Sequence, residues 1–211
     1  MFKKFFLPLF AVACFAPLTY ADFSGSVGVD SDYFWRGVSQ NDGNHAVSLN
    51  LEYQGNGFYA GAWGSQVDFG NEVNHEYDYY AGYALAVSDK LSIDVGVIQY
   101  TYDALIDDTE EVYMGVSLNN FGVYHYVNLD NSDLTYTEMK YTLPFITQLD
   151  VSVGYALHSD EAAVMMGGDD DHFMLSVSKD LGNLTLSAMV MDGARHGDIM
   201  DNASIGLHYN F

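Results

Sequence analysis

Cysteine occurs once in the 211 residues, proline three times, and lysine and arginine together seven times, against 29 aspartates and glutamates. The one cysteine, Cys14, sits in the N-terminal apolar stretch, so the rest of the chain has no disulfide and no thiolate chemistry. The shortage of basic residues leaves a formal net charge of −22, which excludes nucleic acid as a partner, because phosphate would be repelled rather than held. Rare proline leaves hydrogen-bonded strand ladders uninterrupted. Beyond the N-terminal stretch no segment approaches the ~20 apolar residues of a transmembrane helix. What the chain has in quantity is tyrosine (17), phenylalanine (13) and glycine (20).

The two ends carry separate signals. Lys3 and Lys4 precede an apolar run over residues 5–18, and Thr19, Tyr20 and Ala21 supply a small-residue cleavage site. This pattern predicts a secretory signal peptide over residues 1–21, the run being too short for a membrane span. Ala11, Val12 and Ala13 before Cys14 lack the leucine of a lipobox, and the apolar run continues past the cysteine, which speaks against lipidation. At the other end, Ala203, Ile205, Leu207, Tyr209 and Phe211 alternate with Ser204, Gly206, His208 and Asn210. Period-two alternation makes a strand with one apolar face. Such a strand is an aggregation hazard unless it is paired, and a membrane barrel pairs it by closing on its first strand. The ending resembles the insertion signal of outer-membrane proteins, with Phe211 last and Tyr209 two before it, which implies the barrel-assembly machinery as a partner.

Between the ends the same alternation recurs. Val47, Leu49, Leu51 and Tyr53 oppose Ser48, Asn50 and Glu52; Tyr77, Tyr79, Tyr83 and Leu85 oppose Glu76, Asp78 and Gly82; Ile93, Val95 and Val97 oppose Ser92, Asp94 and Gly96. The first strand reads as Phe23, Val27, Val29, Tyr33 and Trp35 on the apolar side, and the third as Tyr59, Trp63, Val67 and Phe69. The total is twelve segments, ten or fourteen being the alternatives, each near the 9–11 residues that a tilted strand needs to cross a bilayer. Connections after even strands are brief (54–57, 88–90, 119–120, 144–148, 182–183), and those after odd strands are mostly longer and acidic. The prediction is an all-β, transmembrane antiparallel β-barrel over residues 22–211 with both termini periplasmic. A soluble β-sandwich also alternates, but needs no terminal aromatic strand and no exposed apolar face.

The block Ser31-Asp-Tyr-Phe-Trp-Arg-Gly-Val-Ser-Gln40, with Gly57-Phe-Tyr-Ala-Gly-Ala-Trp-Gly-Ser-Gln-Val-Asp-Phe69 and Asp78-Tyr-Tyr-Ala-Gly-Tyr83, resembles the TorF family of proteobacterial porin-like proteins. The resemblance covers roughly residues 24–100 and implies a channel-like protein of the outer membrane. It implies no substrate and no catalytic residue.

Several residues are candidates for a site. Arg36 shares parity with Asp30 and Asp32, and it is one of five basic residues left once Lys3 and Lys4 are removed. A constriction in which Arg36 faces Asp68, Glu76 or Asp78 would orient a passing dipolar solute; the plainer reading is an ion pair that fills the barrel mouth. Asp94, Glu138 and Lys140 share the lumen parity, as do Glu52 and Asp150. Carboxylates are costly without water, so they imply a hydrated interior.

His45, His75, His158, His172 and His196 fall in the acidic outer loops with Asp169, Asp170 and Asp198. No EF-hand or zincin spacing is present, so the expectation is a solvated acidic mouth, or one bridged by ions to lipopolysaccharide, with no metal site and no cofactor. Ser65 and His125 share the apolar parity that a lipid-facing hydrolase would use, but on non-adjacent strands. The reading is a narrow, mildly cation-preferring channel for small hydrophilic solutes, not an enzyme. Its alternatives are a non-conducting structural or adhesion barrel with ion-binding loops and a membrane-embedded hydrolase.

Overall fold

The fold was established from a computed structural model, which describes residues 22–104, 107–166, 171–192 and 202–211. The expected signal peptide 1–21 with Cys14 lies outside these residues, as do Asp169, Asp170, His196 and Asp198.

Twelve strands form a closed antiparallel barrel: β1 (Asp22–Asp30), β4 (Ala46–Gly55), β5 (Phe58–Gln66), β6 (His75–Ala86), β7 (Leu91–Tyr102), β8 (Thr109–Leu118), β9 (Phe121–Asn128), β10 (Thr135–Thr142), β11 (Asp150–His158), β12 (Asp171–Leu181), β13 (Leu184–Met191) and β14 (Ala203–Asn210). Two further short strands, β2 (Phe34–Trp35) and β3 (Val38–Ser39), pair only with each other. A short helix, α1 (Asp160–Met166), stands on the connection after β11.

Each barrel strand pairs with its sequence neighbour, and β1 closes the ring against β14, with Val27 opposite Tyr209 on one side and Leu49 on the other. Phe211 completes the seam, exchanging backbone hydrogen bonds of 2.9 Å in both directions with Gly25. Closure matters because an unpaired strand edge in hydrocarbon would leave a row of unsatisfied N–H and C=O groups, each costing several kcal/mol.

The side-chain alternation decides which way each strand faces. Val27, Val29, Leu49, Leu51, Tyr79, Val95, Val97, Met114, Val116, Leu175, Leu186, Ile205 and Leu207 all point away from the barrel and are exposed, a surface that matches lipid and would be untenable in water. Ser26, Ser48, Glu76, Asp78, Ser92, Asp94, Glu111, Glu138 and Thr185 point inward and are buried. This reverses the soluble arrangement, as a barrel in a bilayer requires.

Tight turns serve one end of the barrel. The β4–β5 turn places Asn56 (φ 54°) and Gly57 (φ 86°) both in the left-handed region, the two-residue geometry whose twist matches that of the flanking strands. The links at the other end follow β1, β5, β7, β9, β11 and β13; those after β1, β5, β11 and β13 are the long ones, while those after β7 and β9 are shorter than the β10–β11 link at the tight-turn end.

The structure corrects two strand expectations. The first strand stops at Asp30, and the chain then turns into the β2–β3 hairpin, so Tyr33 and Trp35 do not face lipid; Tyr33 is buried. Strand β5 runs in the opposite sense to the one expected: Tyr59, Trp63 and Ser65 face the lumen, and Phe58, Ala60 and Gln66 face outward. Alanine and phenylalanine satisfy lipid as well as tyrosine does. The Tyr59 hydroxyl finds a carboxylate only inside, at Asp94.

Candidate functional site

The lumen is built from tyrosine and carboxylate. Tyr59, Tyr113, Tyr124, Tyr126 and Tyr136 form one buried cluster, and Tyr33, Trp63, Val67 and Val73 form another. Glycines on the inner face make room for the rings. Gly82 lies beneath the Tyr59 hydroxyl, Gly61 beneath Tyr80, and Gly96 beneath Tyr113, each so close that a Cβ would collide. The rings therefore lie along the wall, which is one way a barrel accepts glycine in mid-strand.

Tyrosine hydroxyls then serve the acids. Tyr80 donates to Glu52 at 2.9 Å, Tyr59 to Asp94 at 2.7 Å, Tyr100 to Glu111 at 3.1 Å, Tyr102 to Glu76 at 3.4 Å and Tyr136 to Glu138 at 3.3 Å. Tyr59 and Tyr113 also share a short hydroxyl–hydroxyl bond. Hydrogen bonds to ionised acceptors are the strong ones, and they offset part of the cost of moving a carboxylate out of water.

The β2–β3 hairpin enters this lined interior. Its neck is held by Gln40 N–H donating to the Tyr33 carbonyl at 2.7 Å, by Ser39 Oγ donating to Asp32 at 2.8 Å and by Ser204 Oγ donating to the Asp32 carbonyl at 2.7 Å. Its tip is Arg36 (φ 48°) and Gly37 (φ 84°), a left-handed two-residue turn. The Arg36 guanidinium, 6% exposed, reaches the far wall and grips Glu111 of β8 with two parallel bonds of 2.7 and 2.5 Å. It lies over the rings of Trp35, Tyr126 and Tyr136, at 4.4, 4.8 and 4.5 Å from their centroids. The planar fork of arginine suits both a bidentate carboxylate and stacking on aromatic faces. His158 Nε2–H donates to the Arg36 carbonyl at 3.1 Å, since a carbonyl can only accept.

The expected site residues are distributed as follows. Arg36 is buried and paired, but its partner is Glu111, not Asp68, Glu76 or Asp78. It is carried by the hairpin, not by the rim of the first strand. Asp68 is exposed on the link after β5, where its Oδ1 accepts from Gly70 N–H at 2.9 Å, so it does not line the lumen. Glu76, Asp78 and Asp94 are buried inside, and Glu138 is buried within electrostatic range of Lys140 and Arg36. Glu111 was missed. It lies one residue before the outward Val112, and extending that strand's alternation by one position would have found it.

The expected loop histidines divide. His45 is exposed, and His75 pairs with Asp103 at the rim at 2.7 Å. His158 and His172 are buried in the lumen beside Tyr136. Backbone N–H groups of Asn74 and His75, with the His75 ring, hold the Asp103 carboxyl at about 2, below the usual aspartate range. Among the described residues no three His, Cys, Asp or Glu side chains are arranged to hold a metal ion. Ser65 is buried on the inner face, while His125 is exposed on the outer face, bonded to Thr137. The wall separates them, so they form no nucleophile–base pair.

Solved structures share this fold. A KdgM porin in complex with disordered oligogalacturonate superposes with a TM-score of 0.61 at 11% identity, covering 91% of this chain and 99% of that one. A second KdgM porin structure gives 0.61 at 12%, covering 89% and 99%. Outer-membrane phospholipase A from Escherichia coli reaches a TM-score of 0.43 at 12% identity, covering 90% and 95%, a level too low to bear on activity. No curated protein sequence matches the chain. Residues 16–198 match the family model Gcw_chp, described as a bacterial protein of unknown function, which spans the hairpin block but does not carry the TorF name. A closed twelve-strand barrel of porin type, with an arginine-tipped hairpin in its lumen, is thus the structure of a member of the Gcw_chp family, to which this chain belongs.

Proposed function

We propose that the protein is an outer-membrane channel for small hydrophilic solutes, narrowed by the β2–β3 hairpin and selective for cations. The observation that carries this reading is the make-up of the lumen. Glu76, Asp78, Asp94, Glu111 and Glu138 are buried there, and the facing bases are Arg36 and Lys140. A surplus of fixed negative charge in a confined, low-dielectric path concentrates cations and excludes anions. The KdgM porin is seen with oligogalacturonate, a polyanion; this lumen would repel one, so the shared fold serves a different class of solute. Arg36, locked to Glu111, is the constriction element, with Glu76, Asp78, Asp94, Glu138 and Lys140 lining the path.

The same reading assigns residues 1–21 to a cleaved signal peptide and both termini to the periplasmic side. Tyr209 and Phe211 form the signal read by the barrel-assembly machinery, and the acidic outer loops meet lipopolysaccharide. It also treats the TorF resemblance and the Gcw_chp match as one relationship.

Planar-bilayer recording in potassium chloride is the decisive experiment. Discrete current steps with a reversal potential favouring potassium are expected, and Arg36→Ala should enlarge the steps by opening the constriction. Silent bilayers with insertion verified would overturn the channel and leave a non-conducting barrel.

A further inference from the structure

Asp78 breaks the pattern followed by the other lumenal acids. Glu52, Glu76, Asp94, Glu111 and Glu138 each accept a tyrosine hydroxyl. Asp78 is 0% exposed, and neither of its carboxylate oxygens has a hydrogen-bond partner. Leaving an ionised carboxylate buried and unpaired costs several kcal/mol, so an ionised Asp78 calls for a counter-charge.

Its surroundings specify what kind. Asp78 sits on β6 with Trp63 directly opposite on β5 and Tyr100 directly opposite on β7. Glu76, two residues along the same inner face, presents a second unpartnered oxygen, Oε2. The Tyr33 ring covers Trp63 at 5.1 Å. Its hydroxyl lies within electrostatic range of both carboxylates and interacts with Glu76. The neighbourhood is therefore two carboxylates walled by aromatic rings.

The molecule holds a filled example of the same chemistry. Arg36 meets one carboxylate, Glu111, and three aromatic rings, and Tyr100, opposite Asp78, donates to that same carboxylate. Divalent metals want three or more hard ligands, and no such group exists among the described residues. Weakly hydrated organic cations are the ions that gain from aromatic faces.

We propose that Asp78 and Glu76, with Trp63 and Tyr33, form a binding site for a guanidinium or primary-ammonium group of a passing solute. This rests on the channel reading for its physiological role, but binding itself does not require conduction.

The test uses the full chain refolded in detergent, with guanidinium chloride and agmatine as probes and potassium chloride at equal ionic strength as control. The chain has two tryptophans, Trp35 and Trp63, so Trp35→Phe leaves Trp63 as sole reporter beside the site. A saturable Trp63 fluorescence change with either probe is expected, matched by calorimetric titration. It should weaken by about tenfold or more in Asp78→Asn, an isosteric loss of one charged partner, and to a smaller extent in Glu76→Gln. No saturable response in either measurement, the same response in Asp78→Asn, or an equal response to potassium would each overturn the site.

Bilayer recordings in potassium chloride keep the two readings apart. Current without guanidinium binding sinks the site and leaves the channel, while binding without current sinks the channel and leaves the site. Should Asp78→Asn fail to refold, Asp78→Glu serves instead, and it should retain binding with altered affinity.

Discussion

Arg36 does two jobs at the residue scale. It occupies a backbone conformation that costs an L-residue about 1–2 kcal/mol, and it takes a guanidinium out of water. The bidentate grip on Glu111 and the three aromatic faces offset both. Removing one partner of a buried pair strands the other charge, at a cost of roughly 3–5 kcal/mol. Arg36→Ala and Glu111→Gln should therefore each lower the urea midpoint of the detergent-refolded protein. The double variant should be less destabilised than the sum of the two, and a fully additive double variant would show that the pair is not coupled.

Asp103 gives a pH prediction of known sign. Its carboxyl is held at about 2 in the folded rim against ~3.9 in an unfolded chain. A lowered folded value means the contribution is fully present above about pH 4 and is lost as pH falls through about 2. Carboxyl-region NMR should place the Asp103 midpoint near 2; a midpoint near 4 would remove the link to His75 and the Asn74 amide.

The hairpin is the informative case at the element scale. Its turn depends on Gly37, whose φ of 84° suits glycine and whose Cβ position lies 3.0 Å from His172 Nδ1. Gly37→Ala should loosen the hairpin by about 1–2 kcal/mol, seen as a red-shifted Trp35 emission when Trp63 is replaced by phenylalanine. An unshifted spectrum would mean that the tip tolerates the methyl group.

Elements were unevenly legible beforehand. Strands such as β4, β6 and β7 show apolar residues on one parity and Ser, Asp or Glu on the other, and the lipid–water contrast leaves only one way to face them. Strand β5 offered Tyr59 and Trp63 on one side and Ala60 and Ala62 on the other, and both sides are compatible with lipid. Only the acids and glycines on neighbouring strands, Asp94 and Gly82 among them, turn those rings inward.

The barrel as a whole stands on one requirement, that no backbone polar group meets hydrocarbon unpaired. The seam of β1 with β14, finished by Phe211 on Gly25, meets it. A charge at mid-height on the outer face should be penalised where an apolar exchange is not. Val97→Arg is expected to cost about 2–4 kcal/mol in folding into vesicles, whereas Val97→Ile, which keeps that exposed face apolar, should cost far less. Equal penalties would contradict the assignment of faces.

Alternation, turn spacing and the closing aromatic strand are local properties of the chain. They determined the fold class, the twelve strands and the acidic character of the interior, because lipid outside and water at the ends leave an alternating strand little choice. The hairpin's entry into the lumen, the Arg36–Glu111 pair 75 residues apart, the inward turn of β5 and the isolation of Asp78 depended on the tertiary structure. Each is settled by which side chains meet across the bore, and residues that meet there are set by barrel closure and register, not by their spacing along the chain.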